Sequence, residues 1–164
     1  MNDNTMRKWS SMNKLAVTVP SEGRVVGIAE DYFFKEGTNA IYSVRVRTRL
    51  LGDYSLPVIA IKTIEADKIT INNANMLIKA LPYSPQIQSL QGRKVIDENE
   101  REVGIVKDVL LDTSSPTALR IAALEIAPPK GANGNSRKIF TANAVVSYEN
   151  DMIMIQDQAA RRLR

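Results

Sequence analysis

Apolar and basic residues alternate with a period of two along residues 42–50, whose sequence is YSVRVRTRL. Successive side chains of a β-strand point to opposite faces, so this pattern predicts a half-buried strand with a basic outer face. The apolar side chains share the inner face: Tyr42, Val44, Val46 and Leu50. The basic side chains share the outer face: Arg45, Arg47 and Arg49.

An internal repeat organises the chain. Residues 24–31, RVVGIAED, recur as residues 101–108, REVGIVKD, and a later DxIxI pattern occurs at residues 67–71 and again at 151–155. Repeated segments in the same order indicate two units of similar structure. Two prolines, Pro82 and Pro85, interrupt the chain between them. The predicted segments are an N-terminal extension at 1–13, a first unit at 14–81, a linker at 82–89, a second unit at 90–158 and a basic tail at 159–164.

Strand chemistry dominates both units. Short runs rich in Val, Ile and Leu are bounded by Gly, Pro, Asn or Asp, at residues 25–29, 55–61, 102–111 and 118–127. About five such strands in a unit of about 70 residues fit a closed sheet, which hides its edges. The sequence therefore predicts an all-β protein made of two tandem small antiparallel β-barrels.

Gly27 and Gly104 occupy the same place in the two copies of the repeat. A glycine inside a strand often marks a bend or a close backbone approach, so both are predicted to be structural. A phosphate-binding loop would need companion glycines and a helix start, which neither copy has.

Two further segments leave alternatives open. Residues 128–136, PPKGANGNS, are typical of a hairpin tip, which is either a flexible surface loop or a partner-contact loop with Lys130 and Asn133 as candidate residues. Residues 157–164, DQAARRLR, are either a short helical turn or a frayed basic tail.

The chain of 164 residues contains neither cysteine nor histidine. Thiolate chemistry and most zinc sites and histidine-based hydrolase sites are therefore excluded, and no cofactor is predicted. Its net charge of +4 is a mild excess for nucleic-acid binding. No apolar run approaches the roughly 18 residues of a membrane span, and no secretory segment is evident, so a cytoplasmic protein is expected.

The start of the second unit resembles the PRC-barrel domain family. The resemblance rests on LQGRKVID at residues 90–97 followed by EVGIVKDVLLD at 102–112, and on VGIAEDYFF at residues 26–34 of the first unit. The family is known from the cytoplasmic part of the photosynthetic reaction-centre H subunit and from the C-terminal half of the ribosome maturation factor RimM. The resemblance implies a non-catalytic module that docks on a larger assembly.

Three functions can be compared from the sequence. The first is a protein-interaction module that docks through the groove between the barrels or through residues 128–136. The second is binding to RNA or a ribonucleoprotein through the arginine face, with help from the C-terminal arginines Arg161, Arg162 and Arg164. An enzyme is the third, since carboxylates are present at Glu30, Asp31, Asp108 and Asp112.

Simpler roles explain some of these residues. Asp31 and Asp108 lie at equivalent positions near predicted strand ends, where turn or hydrogen-bonding roles account for them. A homodimer could form through an exposed strand or through the apolar residues 76–78. Trp9 is a large apolar group that would pin down the N-terminus if a neighbouring surface buried it.

Overall fold

The chain folds into two β-sheets that repeat one strand order. The computed structural model describes residues 5–129, 131, 136–149 and 151–164. The strands of the first half are β1 (Met6–Lys8), β2 (Leu15–Val19), β3 (Arg24–Phe34), β4 (Ile41–Thr48), β5 (Gly52–Pro57), β6 (Ile61–Ile64) and β7 (Lys68–Ile71). Those of the second half are β8 (Lys94–Ile96), β9 (Glu102–Asp112), β10 (Arg120–Ala127), β11 (Lys138–Thr141), β12 (Val145–Tyr148) and β13 (Met152–Ile155). Two short helices are α1 (Trp9–Met12) and α2 (Asp157–Leu163).

The two sheets have the same strand order. The first has the order β5-β4-β3-β2-β7-β6 and the second the order β11-β10-β9-β8-β13-β12, with β1 paired to β9. The edge strands of each sheet are consecutive in the chain and are joined by a 3₁₀ turn, Val58–Ala60 in the first and Ala142–Ala144 in the second. The predicted all-β class is confirmed, with six repeated strands in each half.

Strand pairing is antiparallel with one exception in each sheet. In each half the last strand lies beside the strand that precedes the long strand and runs in the same direction, so β7 pairs with β2 and β13 with β8 in parallel. The predicted pattern of antiparallel strands missed these pairs, because local alternation carries no information about which distant strands become neighbours.

Gly27 and Gly104 lie where neighbouring strands approach closely. A Cβ atom on Gly27 would lie 2.6 Å from Cγ1 of Val46 and 2.7 Å from the carbonyl oxygen of Arg47. One on Gly104 would collide with the carbonyl oxygen of Ala127. Backbone atoms on the neighbouring strand cannot easily move away, so any side chain at these two positions would push the strands apart.

A β-bulge follows each of these glycines. The register shifts between Ala29 and Asp31 on β3, and at the equivalent place before Asp108 on β9. The expectation that Asp31 and Asp108 lie near strand ends is wrong, because both lie inside strands of 11 residues. A bulge bends the strand and redirects its side chains, which here turns both carboxylates toward the other half of the molecule.

The two halves exchange their leading segments. Strand β1 precedes the first sheet but pairs with β9 of the second, with Lys8 opposite Leu110. In the same way Gln86, which precedes the second sheet, forms a bridge with Phe33 on β3 of the first. The leading segment of each half therefore pairs with the long strand of the other half.

Strands β4 and β10, which follow the long strands β3 and β9, also contact each other near their first residues. The Ile41 amide donates to the carbonyl oxygen of Leu119 at 3.0 Å, and the Ile121 amide donates to that of Asn39 at 2.8 Å. These two bonds are equivalent in the repeat and relate the halves by an approximate two-fold axis. Buried residues of both sheets form one continuous apolar core.

Two buried aspartates fix the exchanged segments. Oδ1 of Asp31 accepts from the indole Nε1 of Trp9 at 2.9 Å, and Oδ2 accepts from the amide of Gln88 at 3.2 Å. Asp108 accepts from the Ser10 amide at 3.3 Å and from the Ser10 hydroxyl at 2.5 Å. Burial raises the pKa of Asp31 above its ordinary value, although these hydrogen bonds oppose the rise.

We predict that Trp9→Phe destabilises the whole chain in one transition. Phenylalanine retains most of the buried ring but removes a hydrogen bond to the buried Asp31 carboxylate, which costs about 1–3 kcal/mol. Far-UV circular dichroism in urea measures the change. The control is Ser11→Ala, since the Ser11 hydroxyl bonds only to the Lys8 carbonyl at an exposed position, and a change within about 0.5 kcal/mol is expected. Two separate unfolding transitions, with only one moved by the variant, would contradict the shared core.

Candidate docking surface

The predicted arginine face is largely paired with carboxylates. Nε and Nη2 of Arg45 donate to Oδ2 of Asp53 at 2.8 and 2.5 Å. Nη1 of Arg47 lies 3.1 Å from Oε1 of Glu30, the bulged residue of β3. Strand β4 ends at Thr48, so Arg49 belongs to the turn that follows. The structure therefore does not present three parallel free cations.

Leu50 is not on the inner face of the strand, as the alternation predicted. It lies in the turn between β4 and β5 and is 90% exposed. The turn is closed by the Thr48 hydroxyl, which donates to the Gly52 carbonyl at 2.6 Å and accepts from the Leu51 amide at 3.2 Å. Because the Thr48 side chain forms these turn hydrogen bonds, β4 ends at Thr48, two residues before the alternation in the sequence ends at Leu50.

Exposed apolar side chains gather at this end of the first barrel. Val25 is 62% exposed and Leu51 is 64% exposed, beside the more exposed Leu50. Ile28 adjoins them along β3. We call this surface the barrel-end patch: Val25, Ile28, Leu50 and Leu51. A contiguous apolar surface of this kind marks an interaction site more often than scattered exposed residues do.

The patch borders an open groove of about 580 Å³. Its floor and walls include Val26, Tyr54 and Leu77, which are part-buried. Surface grooves with apolar walls and a few polar groups at the margin are suited to binding part of another molecule.

Basic side chains surround the groove. Arg24 lies 3.2 Å from Glu22, and both are well exposed. Nζ of Lys79 lies 5.7 Å from the centre of the Tyr54 ring, within cation–π distance. No residue in the described part of the chain forms an ion pair or a side-chain hydrogen bond with Arg49. The margin therefore carries more positive than negative charge.

The equivalent end of the second barrel is built differently. Glu102 and Val103 take the places of Val25 and Val26, and they line a groove of about 460 Å³. Leu163 and Arg164, at the end of the chain, line the same groove. Val103 is buried where Val26 is only part-buried.

Helix α2 is anchored at both ends. At its start, the Glu98 amide donates to Oδ1 of Asp157 at 2.9 Å, and the Asp157 amide donates back to Oε1 of Glu98 at 3.0 Å. Nη2 of Arg164 donates to Oδ2 of Asp97 at 2.8 Å beyond its end. Of the two alternatives for the C-terminal segment, the structure has the helix.

The remaining candidate residues have other positions. Lys130 and Asn133 lie outside the described residues. In residues 76–78, Met76 and Leu77 pack against the core, and Ile78, which is 49% exposed, pairs with Ser55 of the edge strand β5. Asp112 accepts from the hydroxyl and amide of Ser114, which lower the pKa of its carboxyl.

The described residues contain neither a cluster of metal ligands nor a membrane-spanning helix. Within the described ranges no group of three acidic side chains is placed to hold a metal ion. Among the helices of that part of the chain, none has the length and apolar character needed to cross a bilayer.

The barrel-end patch was missed at the sequence level. Leu50 and Leu51 look like the continuation of a core strand, and Val25 looks like a core valine. The only signal in the sequence was the adjacent Gly52, because glycine favours turns. In the structure its φ is 82°.

Comparison with known proteins finds a family match in the second half of the chain. The family model of the PRC-barrel domain matches residues 86–162. A solved structure of a 16S ribosomal RNA processing protein RimM from Pseudomonas aeruginosa is similar over 79% of this chain and 96% of that one, with 11% identity and a TM-score of 0.33. A score this low says nothing about shared function. No curated protein matches the sequence.

We predict that Asp97→Asn weakens the protein above about pH 4 and that the difference from wild type fades below it. Burial would raise the pKa of Asp97, but hydrogen bonds from the Arg101 amide, Arg164 and the Asn99 amide hold it at about 2. A lowered pKa gives stability above the ordinary value of 3.8, and this stability is lost as pH falls toward 2.

Urea unfolding at neutral pH and in steps from about pH 4 to about pH 2 measures this effect. The control is Asp67→Asn, which removes the same charge at an exposed position, and a change within about 0.5 kcal/mol is expected. An Asp97→Asn deficit that stays constant down to the lowest pH would show that the carboxylate is not what holds α2.

Proposed function

Because residues 86–162 match the family model of the PRC-barrel domain, we propose that the chain is a non-enzymatic docking module that holds a protein partner. The observation that supports this proposal is the barrel-end patch. Leu50 and Leu51 sit side by side in a turn with most of their surface in water. Burying a leucine side chain against a partner contributes about 1.5–3 kcal/mol, so two of them can anchor an interface.

The placement of the carboxylates supports a non-enzymatic role. Asp31 and Asp108 use their oxygens to accept hydrogen bonds from the exchanged segments. Glu30 pairs with Arg47, and Asp112 pairs with Arg120 at 3.2 Å. Each of these carboxylates has a structural partner, and none of them needs a substrate to explain its position.

RNA binding is less favoured by the geometry. A phosphate backbone needs cations that are free to pair with it. Arg45 and Arg47 already face Asp53 and Glu30, so an RNA strand would compete with internal ion pairs. A protein surface that buries apolar side chains matches the barrel-end patch better.

We expect the intact protein to capture a defined protein from native lysate, with capture surviving nuclease and high salt. The double variant Leu50→Glu/Leu51→Glu should lose at least about 100-fold in affinity, because both apolar anchors are replaced by charges. Quantitative mass spectrometry of the recovered material measures the loss.

The matched control is Ile59→Glu. Ile59 is 79% exposed in a turn of the same barrel but is not part of the patch, so this variant should capture as wild type does. Equal capture by the double variant would contradict docking at the patch. Loss of all material on nuclease treatment would make RNA binding the function instead.

A further inference from the structure

The two barrels differ at equivalent ends, and from this difference we infer that the barrel-end patch receives an acidic amphipathic helix of the partner. The second barrel places its own helix α2 at this end, whereas the first barrel has none. The inference rests on the proposed docking function and specifies what the patch binds.

Helix α2 shows how a helix fits a barrel of this fold. It packs against β11, with Ala160 fully buried and Leu163 packed on the core. These two residues are three positions apart, so they lie on one face of the helix. A helix that docks on the first barrel would likewise present apolar side chains at intervals of three and four residues.

In the first barrel a shorter segment occupies the corresponding place beside the edge strand β5. After β7 the chain makes a single 3₁₀ turn, Ala74–Met76, and then continues in extended form. Ile78 then pairs with Ser55, exchanging backbone hydrogen bonds of 2.7 and 2.8 Å. No helix forms from this stretch, and Val25, Leu50 and Leu51 stay uncovered.

The same pairing argues against an extended partner strand at this edge. A peptide that adds a strand to a sheet needs the free backbone groups of an edge strand. Ile78 already uses those of Ser55 on β5. A helix needs no such groups, since its own backbone is internally hydrogen-bonded, and it can dock through side chains alone.

Charge determines which helix fits. In the second barrel Arg164 is paired with Asp97, and both Glu102 and Lys138 line the groove. The first barrel has a different balance of charge. The margin carries four basic side chains, Arg24, Arg47, Arg49 and Lys79, against the acidic Glu22 and Glu30. An acidic helix is complementary to this margin.

A displayed library of random peptides of about 16 residues, roughly four helical turns, tests the inference. The library is selected on the intact protein and counter-selected on Leu50→Glu/Leu51→Glu. We expect enriched peptides to be acidic, with apolar residues spaced as on one face of a helix. No enrichment, or enrichment of basic or proline-rich peptides, would overturn the inference.

The strongest enriched peptide then tests the charge argument. Arg49→Glu should weaken its binding by about tenfold, because it reverses an unpaired charge at the margin. The control Lys107→Glu makes the same charge change at an exposed site on the second barrel and should leave binding within about twofold. Equal effects of the two variants would mean that overall charge, rather than the margin, attracts the peptide.

Three other possible ligands of the barrel-end patch are tested on the same protein. The probes are vesicles of equal parts phosphatidylcholine and phosphatidylglycerol, a single-stranded RNA oligomer, and a second copy of the chain measured by light scattering. Binding of any of them that depends on Leu50 and Leu51 would overturn the helix inference. If lysate capture depends on these leucines but the selected peptides are not acidic helices, docking stands and only the helix inference fails.

Discussion

The reciprocal docking of each half's leading segment on the other half is the constraint on which the rest of the structure depends. The turn that begins each half is fixed by a buried aspartate on the long strand of the other, Asp31 for Ile87–Leu90 and Asp108 for α1. A carboxylate buried in this way is stable only while its donors stay in place. The halves therefore hold each other, and their apolar residues merge into one core.

The two copies of the repeat share the glycine and aspartate residues that this arrangement needs. Gly27 and Gly104 allow the strands to approach, and Asp31 and Asp108 receive the exchanged turns. The two copies differ at three positions, of which Ala29 and Val106 are buried, whereas Val25 and Glu102 are exposed. Val25 lines the groove of the first barrel, and Glu102 lines the groove of the second barrel at the equivalent position. The shared glycines and aspartates thus hold the scaffold, and the change from Glu102 to Val25 makes the surface of the first barrel more apolar at this end.

Local patterns predicted much of the fold but little of the docking surface. Alternation and the repeat predicted the all-β class and most of the strands, because both depend on side chains a few residues apart. The parallel pairs, the exchange of leading segments and the burial of Trp9 depend on contacts between distant residues, which periodicity does not encode. Leu50 was misassigned because an apolar residue in a turn looks like the end of a core strand. Arg45 and Arg47 lie on β4, and the carboxylates that pair with them, Asp53 and Glu30, come from neighbouring strands, which local alternation does not predict.

Hydrogen–deuterium exchange on the protein bound to its captured partner tests the central claim most directly. If the partner covers the barrel-end patch, binding slows exchange in residues 24–28 and 47–51 of the first barrel and leaves residues 136–149 and helix α2 of the second unchanged. Slower exchange in the second barrel, with none at the end of the first, would show that the partner docks elsewhere and that the barrel-end patch is not the functional surface.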